Sequence, residues 1–196
     1  MKIKNTLYLT DDTLYLKSKD EVIKWKLRQN VLKNGKIASI SKFTKEYEKL
    51  MQKYNLNNSI FGQTIKIIVN SAYLDSDITV LKNIFTCLSY RKVIVEKELK
   101  YLSLTASKAY LLIYDTYSFL YYLDEYQKAR SILIDSNIFA ESSEYEKYIA
   151  RKVKGKELFL LGQGDKLNHF FQTFEKNYNI LTYLYNNHAT YFVDKS

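Results

Sequence analysis

Leu7–Leu27 reads LYLTDDTLYLKSKDEVIKWKL, and Ala109–Asp135 reads AYLLIYDTYSFLYYLDEYQKARSILID. In the first stretch Leu7 and Leu9 alternate with Tyr8, and Leu14 and Leu16 alternate with Tyr15. That period of two is the pattern of a strand, and Asp11-Asp12 between the runs is a tight hairpin turn. Val22–Leu27 alternates as a third strand. The second stretch repeats the plan. Ala109–Tyr114 turns through Asp115-Thr116-Tyr117, returns as Ser118–Glu125, and is followed by Ala129–Asp135. A three-stranded meander therefore occurs twice.

The elements after each meander are repeated too. After the first, Asn34-Gly35 is a turn signal, and Ser41 is placed to cap a helix with Phe43, Tyr47, Leu50, Met51 and Tyr54 on one face. Gly62 precedes Thr64–Asn70, a β-branched run of the kind found in buried central strands. Asp75 or Ser76 opens a second helix through Ile78, Leu81, Ile84, Phe85 and Leu88, and Arg91–Leu99 is the fifth strand. After the second meander, Ser142 or Ser143 caps a helix carrying Tyr145, Tyr148, Ile149 and Val153, which Gly155 stops. Glu157–Gly162 is a strand, Lys166–Tyr178 a helix and Ile180–Asn186 a strand, with Asn187–Ser196 read as a short final helix. The same seven elements thus recur over residues 7–101 and 109–185. We expect two α/β domains, 1–104 and 105–196, each with a five-stranded mixed sheet flanked by helices.

Composition limits the classes of function. No apolar run reaches the roughly 18 residues of a membrane-spanning helix. MKIKNTLYLTDD at the start is charged again too soon for a signal peptide. The expectation is a cytoplasmic protein, peripheral at the inner membrane only through partners. The single cysteine, Cys87, lies in an apolar helical pattern and reads as a buried, inert thiol. The net charge of +9 comes from lysines spread along the chain, and the densest groups, Arg151–Lys156 and Lys97–Lys100, are short. This is the pattern of a solvated surface more than of a nucleic-acid patch. His169 and His188 have no partners at metal-ligand spacing, and no GxSxG or GxxxxGK[ST] motif occurs.

Several segments resemble the bacterial actins. Asn34-Gly35-Lys36-Ile37 matches their "dGvI" turn, and Ile67-Ile68-Val69-Asn70-Ser71 matches a strand ending in "vPs", with Asn70 in place of proline. Glu98-Leu99 falls where they carry "EP". Leu160–Leu167 resembles their "LvGGgs.l" adenosine loop. The chain is similar in pattern to the actin-like ATPase superfamily, whose members MreB, FtsA and PilM share this element order. The resemblance implies a duplicated ribonuclease-H-like fold with a nucleotide between the halves. The spacing leaves no room for the outer subdomains.

The resemblance also says where the nucleotide site should be and what it lacks. Family phosphate loops read "D.G.T", in which the glycine lets backbone approach phosphate and the aspartate holds a metal through water. Here the loops are Thr10-Asp11-Asp12-Thr13 and Asp115-Thr116-Tyr117-Ser118, without glycine. Asp12 adds a charge that would repel a phosphate by roughly 4 kcal/mol at ~4 Å and an effective dielectric of 20. Gly162 and Gly164 remain for a base or ribose. The resemblance therefore implies a degenerate nucleotide cleft at Thr10, Asp11, Asp12, Thr13, Asp115, Thr116, Ser118, Gly162 and Gly164. It implies no catalytic residue, no dedicated metal site and no resident cofactor. Asp11, Asp12 and Asp115 admit a second reading as a metal-binding remnant, beside plain turn chemistry. The leading expectation is a non-catalytic scaffold or adaptor bound to protein partners in a membrane-associated machine, of the pilus, type II secretion or cell-division kind, with self-association open. The rivals are a polymerising protein that retains ATP and magnesium, and a basic nucleic-acid binder. Tyr117–Tyr126 reads as a half-buried strand, with an aromatic stacking platform and an exposed protein-binding edge as alternatives.

Overall fold

The structure, a computed structural model, describes residues 5–10, 12–18, 21–56, 63–114, 117–135, 142–161 and 190–192. The chain divides into two compact units, Met1–Glu98 and Leu99–Ser196.

In the first unit, β1 (Asn5–Leu9), β2 (Thr13–Ser18) and β3 (Glu21–Lys26) form the meander. A small hairpin, β4 (Leu32–Lys33) and β5 (Lys36–Ile37), leads to α1 (Ile40–Lys53). Then come β6 (Thr64–Val69), α2 (Asp75–Cys87) and β7 (Lys92–Lys97), with a 3-10 turn at Glu98–Tyr101. The main sheet has the order β3-β2-β1-β6-β7. Hairpin connections make β1, β2 and β3 antiparallel, and helical crossovers make β6 and β7 parallel to β1.

Strand alternation sends Leu7, Leu9, Leu14, Leu16, Ile65, Ile67 and Val69 to one face. There they pack with Phe43, Tyr47, Leu50 and Met51 of α1 and Leu81, Ile84 and Phe85 of α2. Phe85 is central. Its ring lies 5.0 Å from Tyr47, 6.0 Å from Phe43 and 5.8 Å from Tyr90. The hydroxyls of Tyr47 and Tyr90 share a 2.6 Å hydrogen bond inside this core. Tyr8, Tyr15 and Ile68 point the other way and are buried as well.

The second unit starts with β8 (Lys108–Ile113), β9 (Tyr117–Leu123) and β10 (Ala129–Asp135). It continues with α3 (Ser142–Lys152), β11 (Glu157–Leu161) and β12 (Thr190–Phe192). Its sheet order, β10-β9-β8-β11-β12, matches the first strand for strand. β8 and β11 are parallel, as β1 and β6 are. Ala109, Leu111, Leu120 and Leu158 pack against Ile149 and Val153 at the end of α3. Gly155, at φ +75°, takes the left-handed conformation that ends this helix.

The described fifth strands differ in direction between the two units. β12 runs antiparallel to β11, whereas β7 is parallel to β6. The expected helix Lys166–Tyr178 and strand Ile180–Asn186 lie outside the described residues. Thr190–Phe192, expected within a terminal helix, is a strand instead, since a β-branched and two aromatic residues suit the edge that β11 offers.

Two local expectations are also corrected, and two alternative readings of the aromatic strand fall. Ser39, not Ser41, caps α1, accepting from the Lys42 N–H at 3.4 Å. Cys87 is exposed, because Leu81, Ile84, Phe85 and Leu88 define the packed stripe of α2 and Cys87 falls off it. The aromatic strand is not an edge: β9 pairs with β8 on one side and β10 on the other. Tyr117, Phe119 and Tyr121 are buried, so they offer no stacking platform.

One ionic cluster in the first unit gives a testable pH dependence. Glu46 on α1 is buried, and accepts from Lys49 at 2.8 Å and from the Trp25 indole at 3.4 Å, with Arg28 at 3.4 Å. Burial pushes its pKa up, but the bonds from Lys49 and Trp25 and the charges of Lys49 and Arg28 outweigh that, and the net shift is downward. A lowered folded-state pKa stabilises above the unfolded value of about 4.3, and that stabilisation is lost as pH falls through the folded value. The urea midpoint of Glu46→Gln should therefore lie below wild type at neutral pH, and the gap should close as pH falls below about 4. A gap independent of pH would show that the carboxylate charge contributes nothing.

Candidate functional site

Because β1, β6 and β7 are parallel, their carboxyl ends lie at one end of the first sheet. In open α/β sheets ligands bind at that end. The residue after each of these strands is polar: Thr10, Asn70 and Glu98. All three are fully buried, at 0% exposure. A buried polar side chain needs partners, and each of these finds them within its own unit.

Thr10 donates twice to the Thr13 carbonyl, from its N–H at 3.0 Å and its hydroxyl at 2.9 Å. Thr13 in turn donates its hydroxyl to Asp12 at 2.7 Å. The Asp12 carbonyl accepts from the Leu27 N–H at 2.6 Å, and its carboxylate lies 3.4 Å from Lys26. The β1–β2 turn is thus closed on itself and fastened to the end of β3.

Asn70 donates its amide to the Asn34 carbonyl at 3.0 Å and accepts from the Ala72 N–H at 3.0 Å. The Tyr73 hydroxyl donates to the Gly35 carbonyl at 2.9 Å. Asn34 and Gly35 have φ of 51° and 70°, the two left-handed residues of a tight primed turn. Lys36, beyond that turn, pairs with Asp77 of α2 at 2.8 Å. The Lys36 bond and the Leu74 N–H hold the Asp77 carboxyl below its usual range. The Asn-Gly hairpin is therefore clamped to the loop after β6 by four side chains. Glu98 accepts from the buried Tyr8 hydroxyl at 3.4 Å.

In the second unit the corresponding hairpin closes in the same way. The Tyr114 N–H donates to the Tyr117 carbonyl at 2.9 Å, as Thr10 does to Thr13. The flanking residues are tyrosines where the first hairpin has threonines, and their rings stack 4.5 Å apart at 19°. Phe119 packs edge-on against Tyr117 at 5.6 Å. Ser118 is buried and hydrogen-bonds the Tyr145 hydroxyl of α3.

Of the nine candidate residues, Thr10, Asp12 and Thr13 come together in one turn, and Ser118 lies in the second unit. Asp11, Asp115, Thr116, Gly162 and Gly164 lie outside the described residues. So do His169 and His188. Among the described residues no group of three or more His, Cys, Asp or Glu side chains could hold a metal ion. No helix among them is long and apolar enough to cross a membrane. The candidate set omits Asn70 and Glu98. The signal that marks them is positional: each is the first residue after a parallel strand, and each is polar.

No family profile matches the chain, and no curated protein does. Solved structures do. MreB5 of Spiroplasma citri bound to AMPPNP matches with a TM-score of 0.50 and 13% identity, over 91% of this chain and 66% of that one. The ethanolamine utilization protein EutJ of Carboxydothermus hydrogenoformans matches at 0.44 and 8%, over 78% and 65%. A Bacteroides thetaiotaomicron protein with an actin-like ATPase fold matches at 0.42 and 13%, over 87% of both chains. This chain spans 49% of MreB5 in its ADP-bound form and 66% in the AMPPNP-bound form. The chain has the actin-like ATPase fold.

Proposed function

We propose that this chain is a non-catalytic actin-like scaffold or adaptor. One observation supports it above the rest: the described side chains in and beside the two phosphate-loop turns are already engaged. Thr10, Thr13 and Asp12 bond within the first turn, Lys26 of β3 pairs with Asp12, and Tyr114 and Tyr117 stack beside the second turn. A phosphate would have to displace charge-assisted bonds in one loop and a ring pair in the other. Its partners would be proteins of a membrane-associated assembly, of the type IV pilus, type II secretion or cell-division kind. That choice of setting rests on fold analogy.

The match to a nucleotide-bound MreB5 favours a second reading, an ATP-binding polymeriser. Its phosphate contacts would come from Thr10, Thr13, Thr116 and Ser118. Titration calorimetry with ATP and magnesium separates the two. The scaffold reading expects no saturable heat at micromolar nucleotide and no ATP-dependent pelleting. Micromolar affinity that Asp115→Ala abolishes would overturn it. A basic chain will also hold nucleic acid loosely, and such binding should vanish between about 50 and 200 mM salt.

A further inference from the structure

Among the described residues each main sheet ends on strands paired on one side only, and these ends are not alike. In the first sheet β3 carries Lys24 and Lys26, and β7 carries Lys92, Glu96 and Lys97. Charges of this kind protect an edge from unwanted strand pairing. In the second sheet β12 is only three residues long. β10 is different. It has seven residues, and among the described residues it pairs with β9 alone. Its central run, Ser131-Ile132-Leu133-Ile134, carries no charge. Arg130 is drawn back to the preceding turn by a 2.7 Å bond to Asp124. Ala129, Ser131 and Leu133 are exposed, Leu133 by 43%.

The turn sets the hydrogen-bond phase of β10. The Asp124 N–H donates to the Lys128 carbonyl at 2.9 Å, so Asp124 and Lys128 are a bonded pair. Bonded pairs recur at every second residue of an antiparallel ladder. Arg130, Ile132 and Ile134 therefore bond to β9. Ala129, Ser131 and Leu133 direct their N–H and carbonyl groups away from β9.

We infer that β10 is a pairing edge for a second copy of this chain, joined antiparallel so that two sheets become one. A two-fold axis normal to the sheet keeps faces in register, so each residue must oppose a partner of the same parity. The outward-bonding residues share one parity, which is the condition for bonded pairs. Centred on Ile132, Ser131 bonds with Leu133 of the second copy, twice by symmetry. Ile132 then meets its own copy beside the helix-side core, and Leu133 covers Ser131. The two arginines oppose Ile134 rather than each other. The strand is thus complementary to itself in hydrogen bonding, apolar contact and charge. This inference stands apart from the scaffold reading, since retained ATP binding would leave it untouched.

Leu133→Pro tests it. The Leu133 N–H points outward, so proline there spares the ladder to β9, as edge positions allow. The change removes two intermolecular bonds per dimer and should weaken self-association by about tenfold or more. Leu133→Lys, which adds the guard that β3 carries, should weaken it without altering the backbone. In sedimentation velocity over a range of concentrations, wild type should shift from monomer to dimer, while both variants stay monomeric with unchanged circular dichroism. In wild type the Ser131 and Leu133 amides should gain hydrogen-exchange protection as concentration rises. A wild type monomeric throughout, as expected if the edge serves another protein's strand, overturns the proposal. So does dimerisation that both variants retain, or a dimer with those amides unprotected.

Discussion

Phe85→Ala is expected to destabilise the first unit by about 3–5 kcal/mol, the range for removing a fully buried ring. Phe85 is the residue of α2 that reaches α1 and the loop before β7 at once. Its ring contacts Phe43, Tyr47 and Tyr90 at 5.0–6.0 Å, and it has no exposed surface. Truncation would leave a cavity that three rings border and none can fill, because the bond between the Tyr47 and Tyr90 hydroxyls fixes two of them. Burial already holds the Tyr47 hydroxyl well above its usual pKa, so ionising it offers no relief at neutral pH. Net stabilities of domains are about 5–15 kcal/mol, so such a loss would leave the unit marginal at 25 °C. A urea midpoint within about 0.5 kcal/mol of wild type would show that α1 and α2 do not share one core.

Phe85 is legible in the sequence because a helix repeats every 3.6 residues, and Leu81, Ile84, Phe85 and Leu88 stand at spacings of three and four. The meanders are legible for a similar reason. Leu7, Leu9, Leu14 and Leu16 alternate, and a two-residue turn fixes which face they share. Periodicity fails where the outcome depends on a neighbour. Cys87 sits in apolar company along the chain but on the wrong side of the helix. In sequence, Tyr117–Tyr126 leaves open an exposed protein-binding edge beside a half-buried strand, yet β9 pairs on both sides. Thr190–Phe192 is too short to show any period and takes its conformation from β11.

The candidate site is half legible. Missing glycines in both hairpin turns can be read directly from the sequence. The groups that occupy the strand ends cannot, because the partners are remote. Tyr8 and Glu98 are 90 residues apart, and Asn34 and Asn70 are 36 apart. A pattern tells which face a side chain takes, not which distant group it will meet there. In the resemblance to the bacterial actins, Asn70 falls at the position of a proline. A proline could neither donate to Asn34 nor accept from Ala72. The exchange gives the strand end two side-chain hydrogen bonds that a proline could not make.

That exchange leads to the second large effect. Asn70→Ala should cost about 2–4 kcal/mol, since it removes partners from the Asn34 carbonyl and the Ala72 N–H at a fully buried position. Asn70→Asp should be worse at neutral pH. The carboxylate could still accept from Ala72, but its other oxygen would face the Asn34 carbonyl, acceptor against acceptor, away from water. Burial and that carbonyl would both disfavour the ionised form and raise the folded-state pKa above about 3.9. A raised pKa means stability that is present at low pH and lost as pH rises through the folded value. The aspartate variant should therefore recover on acidification, when the protonated carboxyl can donate to Asn34, while the alanine variant should not. Urea midpoints of both variants from neutral pH down to about 5 measure this. If Asn70→Ala is as stable as wild type and Asn70→Asp shows no pH dependence, the amide does not clamp the hairpin. A large cost for alanine, with acid recovery for aspartate, would instead mean that the Asn70 amide holds the Asn34-Gly35 hairpin to this strand end.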